Sequence, residues 1–288
     1  MDDKEAPLIV GSAVCFRNAK ALHSTDGPGP VSVPVEQQVG SELPFGVYRD
    51  HDVAVPRLRH LPTVHPVGWM NIGWGFALTL SALATYQTSG GQLNPAISLL
   101  MATLGNMPYS WVLPYSVAQL GGAFTGAALA YGVYYERSLR YLASLPSPGH
   151  LTACFTSWPS NASHTTAFID QVAGTAVLAF FICACVDRRN KVSVFLQPLF
   201  FGFLLIMIGC ALNLNVGYPI NPARDLGPRI FAFLLFGMEV FSHSNYYFWI
   251  PVVAPFFGAL IGGWLYQILI GVQIDKDPEE GYELKQAV

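Results

Sequence analysis

Two stretches of this sequence decide its fold: Gly90-Gly91-Gln92-Leu93-Asn94-Pro95-Ala96 and Gly217-Tyr218-Pro219-Ile220-Asn221-Pro222-Ala223. Each ends in Asn-Pro-Ala, follows an apolar segment and opens a shorter one. Asparagine is a favoured N-cap because its side-chain oxygen accepts a hydrogen bond from a backbone N–H in the first turn. Proline at the next position has a preset φ angle and no N–H to leave unpaired. We therefore expect a short helix to begin at each motif, with the asparagine NH₂ left to donate elsewhere.

The two stretches belong to an internal repeat. Small residues downstream of the first motif recur downstream of the second, namely Ala118, Gly122, Ala123 and Gly126 as Ala254, Gly258, Ala259 and Gly262. Such residues let helices pack closely in a membrane. A single Asn-Pro-Ala would be an ordinary helix start, whereas two in corresponding positions are specific. Paired short helices in two repeats indicate a site near the middle of a membrane.

The composition is that of a membrane protein, with 52% hydrophobic and 11% charged residues. Residues 67–135 contain no Asp, Glu, Lys, Arg or His. A charge at the centre of a bilayer costs a few kcal/mol, and a helix needs about 20 apolar residues to cross it. We predict an all-α protein with five full spans and two shorter apolar helices. The predicted spans are 67–87, 111–135, 167–186, 194–214 and 246–272, and the predicted short helices are 94–104 and 221–236.

The chain divides into three parts by composition. Residues 1–66 are rich in charge and proline and are expected to be a mostly disordered, atypical N-terminal segment. Residues 67–272 form the membrane domain, with repeats at 67–135 and 167–272. Within the second repeat, the set of one span, one short helix and a second span lies at 194–272. Residues 273–288 are an acidic tail. The cations of 187–191 place that loop and the tail in the cytoplasm. The loop 136–166 then lies outside the cell, where Asn161 begins a glycosylation sequon.

Several classes of function have no support in the sequence. The net charge of −3 gives no reason to expect a nucleic-acid partner, and the five cysteines form neither a zinc pattern nor a disulfide framework. No Ser/His/Asp arrangement or metal cluster emerges, so we expect neither an enzyme nor a cofactor.

On these motifs the chain resembles the aquaporins, or major intrinsic proteins, over about residues 71–271. Asn221-Pro222-Ala223-Arg224-Asp225 is similar to the second motif of the aquaglyceroporin branch, and Pro251-Val252 matches its last helix. The resemblance implies an inverted repeat whose two half-helices meet at the membrane centre. It also implies a passive, multi-pass plasma-membrane channel for glycerol, water and similar solutes such as urea, assembled as a homotetramer.

The resemblance assigns roles to individual residues. The family's narrow filter falls on Trp74, Gly209, Tyr218 and Arg224. Two aromatic rings would face the carbons of a polyol, Arg224 would donate to its hydroxyls, and Gly209 would leave room. The pore motifs are Asn94, Pro95 and Ala96 with Asn221, Pro222 and Ala223, and Asp170 and Asp225 would brace the loops beside the half-helices.

One departure from the family keeps two alternatives open. Family members have six full spans, and no span precedes residue 67 here. The first alternative is therefore a non-conducting, truncated variant that assembles with full-length channels or restrains them. The second is a secondary transporter, since broken helices in repeats serve transporters too. A transporter would need ion-coordinating carboxylates beside the half-helices, and only Asp225 is close in sequence.

Overall fold

The computed structural model describes residues 67–143, 145 and 148–274. This part of the chain contains nine α-helices and no strand, and the helices are α1 (Val67–Ser89), α2 (Pro95–Thr103), α3 (Val112–Val133), α4 (Tyr135–Leu142), α5 (His164–Val186), α6 (Gln197–Ala211), α7 (Pro222–Phe236), α8 (Glu239–Tyr246) and α9 (Trp249–Leu269). The expected disordered segment 1–66, and with it the expected lack of a first span, lies outside the described residues. So does the tail from residue 275 onward.

The five predicted spans are confirmed as helices α1, α3, α5, α6 and α9, and the two predicted short helices as α2 and α7. By length and composition alone, α5 and the stretch Trp249–Gln273 are the two described helices apolar enough to cross a membrane. The first two long helices, α1 and α3, carry polar side chains that are buried inside the bundle: Asn71, Ser81, Thr85 and Gln119.

Two short helices, α4 and α8, were not predicted. The first follows α3 almost directly, because Tyr134 leaves the helical region with φ −104° and ψ 21°. The second is interrupted within its span, where His243 is extended and Ser244 and Asn245 are left-handed. The residues at the two changes of direction, Tyr134 and 243–245, include no glycine or proline.

Small residues set the distances between the long helices. A Cβ added at Gly258 or Gly262 of α9 would collide with the backbone oxygens of Val172 and Ala176 in α5. The close packing predicted for this half of the repeat is confirmed. Helix α7 approaches α3 in the same way, since a Cβ at Gly227 would lie 2.8 Å from the Leu120 carbonyl oxygen.

The main core cluster surrounds the first half-helix. Side chains of α2 pack among residues of α5, α6 and α9, and the buried members include Ala96, Leu100, Leu178, Ile208 and Ala259. The outer faces of the long helices carry exposed apolar side chains, among them Phe76, Leu80, Leu113, Val117, Phe257 and Ile261. Hydrocarbon can solvate such an exterior, so the bundle suits a bilayer.

Candidate functional site

Both half-helices begin as the sequence predicts. Asn94 is the N-cap of α2, and its Oδ1 accepts a hydrogen bond from the backbone N–H of Ala96 at 3.0 Å. Asn221 is the N-cap of α7, and its Oδ1 accepts from Ala223 at 3.0 Å and Arg224 at 3.2 Å. In each case proline follows the cap. Both asparagine amides are thereby fixed at a helix N-terminus.

The two motifs are bonded to each other. Asn94 Nδ2 donates to the carbonyl oxygen of Ile220 at 3.0 Å, and Asn221 Nδ2 donates to that of Leu93 at 2.8 Å. Each asparagine thus holds the residue that precedes the other motif. An amide NH₂ has two N–H groups, so one N–H of each asparagine remains after this exchange. The helix starts are locked together with donors still available beside them.

The loops that precede the half-helices share one backbone pattern. In each loop, three residues have a left-handed φ, and they lie at the same distances from the Asn-Pro-Ala motif. In the first loop φ is 76° at Gly90, 59° at Gly91 and 52° at Leu93. In the second loop it is 80° at Gly217, 47° at Tyr218 and 35° at Ile220. The repeat therefore extends from sequence to backbone conformation. It brings two irregular stretches together in the interior, where such backbone must line a cavity or be covered by protein.

A cavity of about 290 Å³ lies against both motifs. Its lining is mixed. The apolar members include Trp74, Leu78, Ile97, Leu178, Ile182 and Phe201, and the polar members include Gln92, Asn94, Asn106, Asn221 and Arg224. Two lining residues have buried atoms without a hydrogen-bond partner in the described part of the chain, Arg224 Nη1 (a donor) and Gln92 Oε1 (an acceptor). The residues that line the cavity thus include side chains that can donate, such as Arg224, and side-chain amides that can both donate and accept. Gln92 was not anticipated.

Three of the four predicted filter residues meet at this cavity: Trp74, Tyr218 and Arg224. Arg224 Cζ lies 4.9 Å from the centroid of the Trp74 ring, a cation–π arrangement. Gly209 is not part of the cavity wall. A Cβ added there would lie 2.8 Å from Cζ of Tyr218. The room left by Gly209 is thus occupied by the Tyr218 ring and does not open onto the cavity.

Asp170 reaches the second loop through two amide side chains. Its Oδ1 accepts from Asn215 Nδ2 at 2.7 Å, and its Oδ2 accepts from Gln171 Nε2 at 3.0 Å. Gln171, which the sequence analysis missed, makes the direct contact with the motif, because its Oε1 accepts from the backbone N–H of Ile220 at 2.8 Å. The available signal was helical spacing: Gln171, Gly174, Thr175 and Leu178 form one buried face of α5.

Asp225 differs from the expectation that it braces the loop beside its own half-helix. Its Oδ2 accepts from the backbone N–H of Ser157 at 2.7 Å, and its Oδ1 accepts from Arg229 Nε and Nη2 at 2.9 and 2.8 Å. Arg229 also donates to the carbonyl oxygens of Val240 and Ser157. This buried network joins α7 to the segment before α5 and to α8. Arg229 was missed, although an arginine within a membrane segment is a functional candidate by default.

The loop between α5 and α6 is fastened to the end of α9. Asp187 accepts from Nε and Nη2 of Arg189 at 2.9 and 2.7 Å and from the Tyr266 hydroxyl at 2.9 Å. Nη1 of Arg189 donates to the carbonyl oxygens of Gly271 and Ile274 at 2.8 and 3.2 Å. These bonds form a clamp at the end of the bundle where the tail begins.

The clamp predicts a specific pH dependence of stability. Hydrogen bonds from the Arg189 side chain are the main cause that holds the pKa of Asp187 below its usual value. A carboxyl whose pKa is lower in the folded state stabilises the protein above its unfolded pKa, about 3.9, and loses this effect as pH falls through the folded pKa. We expect the melting temperature of Asp187→Asn in detergent to lie below that of wild type by a constant margin from pH 5 to 8, and the margin to shrink below about pH 4.

Arg188→Gln, at an exposed neighbouring cation, is the control for a change of loop charge and should leave the melting temperature unchanged. A margin between wild type and Asp187→Asn that varies between pH 5 and 8 would contradict this assignment.

Comparisons with known proteins agree with this geometry. The family model described as Major intrinsic protein matches residues 47–266. The chain is 40% identical over 217 residues to Aquaporin-9 of Mus musculus, covering 73% of this chain and 74% of that protein. It is 39% identical over 211 residues to Aquaglyceroporin-3 of Trypanosoma brucei brucei, covering 70% and 67%. With Aquaporin-10 of Homo sapiens it shares 36% identity over 224 residues, covering 76% and 74%.

A solved structure shows the same fold. The X-ray structure of the aquaglyceroporin from Plasmodium falciparum superimposes with a TM-score of 0.71 at 24% identity, covering 84% of this chain and 97% of that chain. The bonded half-helices, the repeat of backbone conformation and these matches lead to one conclusion: the chain belongs to the major intrinsic protein family, whose members are multi-pass membrane channels and not enzymes.

Proposed function

We propose that this chain is a passive channel for glycerol and water, with urea as a further solute, and that it works in the plasma membrane as a homotetramer with one pore per subunit. The observation that carries the proposal is the cavity beside the bonded half-helices, which is lined by both apolar and polar side chains. A polyol has the same two aspects, a carbon chain and hydroxyl groups. The relatives named aquaglyceroporins support this choice of solute.

At the filter, the carbons of glycerol would lie against Trp74 and Tyr218 while a hydroxyl accepts from Arg224 Nη1. Arg224 lines the cavity and one of its guanidinium nitrogens has no hydrogen-bond partner in the described chain. A small adjustment of the side chain would let a passing hydroxyl satisfy that donor, which is costly to leave unpaired. Further along, the remaining N–H of Asn94 and of Asn221 would donate to the same hydroxyls. The hydrogen bonds between the solute and water would thereby be replaced, one after another, by hydrogen bonds from the protein.

Ions would be excluded by electrostatics. The N-terminus of a helix has roughly half a positive charge, and those of α2 and α7 both begin at the cavity. Arg224 adds a full positive charge and is the only charged side chain among the described residues that line the cavity. Cations and protons would therefore meet positive potential without a carboxylate to compensate for their lost hydration.

Asn161 is exposed in the segment before α5. We infer that it lies outside the cell and carries an N-linked glycan, with the clamp around Asp187 on the cytoplasmic side. The positive charge of the clamp loop supports this orientation.

The proposed function is tested by stopped-flow light scattering on proteoliposomes that contain the full chain. An inward glycerol gradient should cause fast shrinkage as water leaves, followed by reswelling as glycerol enters, both faster than in empty liposomes. Replacing glycerol by urea tests the third solute. Fast shrinkage without accelerated reswelling would contradict glycerol conduction.

Gly209→Ala is expected to reduce glycerol flux more than water flux. The added methyl group would lie 2.8 Å from Cζ of Tyr218 and 2.9 Å from Asn71, so one of these side chains must shift. Tyr218 borders the cavity, and a shift of its ring away from α6 would narrow the passage. Overpacking of this kind costs about 1–3 kcal/mol, and we expect the glycerol-to-water permeability ratio to fall about tenfold.

Gly121→Ala is the matched control, because nothing lies within 4 Å of a Cβ built there. It should leave the permeability ratio as in wild type. An unchanged ratio in Gly209→Ala would show that the room at this glycine does not influence the passage.

A further inference from the structure

Asn71 contacts the filter without lining the cavity. It lies one helical turn before Trp74 in α1 and is 3% exposed. Its Oδ1 accepts a hydrogen bond from the Tyr218 hydroxyl at 2.6 Å, and its Nδ2 lies 3.5 Å from the sulfur of Cys210. Since a thiol sulfur is only a weak acceptor, Tyr218 is the main hydrogen-bond partner of this buried amide.

Tyr218 occupies a backbone position that does not suit a side chain. Its φ is 47°, and the equivalent position in the first repeat is Gly91, with φ 59°. A left-handed φ costs free energy for any residue with a Cβ, whereas glycine adopts it without penalty. Glycine would therefore be the easier residue here, and the tyrosine must be held by contacts that its side chain makes.

The ring is held in a recess of the wall. A Cβ built at Gly209 would lie 2.8 Å from Tyr218 Cζ and 2.9 Å from both Cγ and Oδ1 of Asn71. The end of the ring that bears the hydroxyl thus fills the space of the missing side chain at Gly209, while Tyr218 also borders the cavity. The hydrogen bond to Asn71 and the space at Gly209 both favour the position of the ring against α6.

We propose that Asn71 is a positioning residue of the filter, which retracts the Tyr218 ring into the recess at Gly209 and so determines whether a polyol fits past it. The inference rests on the proposed function. Without the amide oxygen, the tyrosine hydroxyl would lose the hydrogen bond at 2.6 Å that holds it toward α1. The ring would turn toward the cavity, where water can accept its hydrogen bond. That shift would obstruct glycerol more than water.

The test is a double-mutant cycle on solute selectivity in proteoliposomes. Asn71→Leu removes the acceptor and keeps the volume similar, and we expect a glycerol-to-water permeability ratio about two- to tenfold below that of wild type, the range given by a single hydrogen bond. In a Tyr218→Phe background, Asn71→Leu should leave the ratio unchanged, because no hydroxyl remains to be released.

The ratio does not depend on how much channel is reconstituted, so a merely structural role of Asn71 would reduce both fluxes together and leave it unchanged. That result would overturn the inference, and so would an equal fall of the ratio in both backgrounds. If Asn71→Leu does not fold, Asn71→Ala takes its place in the same cycle. Glycerol flux is measured first in vesicles that contain the wild-type chain. If no glycerol flux is found in them, the proposed function itself is contradicted, together with the inference built on it.

Discussion

Arg229→Met is expected to cost the protein about 3–5 kcal/mol of folding free energy, since breaking a buried ion pair leaves an uncompensated charge. Asp225 is fully buried and Arg229 is 1% exposed. The substitution would also leave the carbonyl oxygens of Ser157 and Val240 without their donor. Because native stability is only about 5–15 kcal/mol, we expect a large fall in melting temperature in detergent and a loss of surface expression.

Arg140→Met on α4 is the matched control, because Arg140 is exposed and its loss should change the melting temperature little. The double variant Asp225→Leu/Arg229→Met removes both charges and should be more stable than Arg229→Met alone. If the melting temperature of Arg229→Met equals that of the wild type, the buried ion pair does not hold α7 in place.

Arg224→Ala is expected to admit larger polyols and to weaken the exclusion of cations. The guanidinium of Arg224 fills the space above the Trp74 ring at 4.9 Å, and alanine leaves that space empty. The same change removes a positive charge. At a separation of 4 Å and an effective dielectric constant of 20, that charge repels a passing cation by about 4 kcal/mol. We expect the permeability to a five-carbon polyol relative to glycerol to rise about tenfold or more, with a measurable proton leak.

Arg224→Lys separates the two effects, because lysine keeps the charge but lacks the planar fork that stacks on an aromatic ring. It should exclude protons as wild type does while passing more of the larger polyol. If Arg224→Ala changes neither the polyol ratio nor the proton leak, Arg224 does not lie at the constriction.

The half-helices could be predicted because their signal is local. An asparagine cap followed by proline specifies a helix start within four residues, and Asn94 and Asn221 both form that cap. The long helices follow from the requirement that backbone groups in lipid be hydrogen-bonded within the segment. What the sequence left open was the direction of single side chains. Asp170 and Gln171 are adjacent in the sequence, yet only the side chain of Gln171 reaches the backbone N–H of Ile220.

The contacts between distant segments could not be predicted. Asp225 binds Ser157 across 68 residues and Tyr218 binds Asn71 across 147. No pattern of spacing connects such pairs, because they depend on how the helices cross. Gly209 illustrates the consequence: the sequence indicated that room exists beside the filter, whereas only the coordinates reveal that Tyr218 fills it.

We propose that solutes pass this chain down their own gradient through the cavity beside the two bonded half-helices. The most direct measurement is glycerol entry into proteoliposomes of the full chain, recorded by reswelling, with no ion gradient and then with an imposed sodium or proton gradient. We predict fast entry that is equal under all three conditions, because Arg224 is the only charged side chain among the described cavity-lining residues and no carboxylate there can bind a coupling ion. Glycerol entry that requires an ion gradient, or that never exceeds the rate of empty liposomes, would contradict the account.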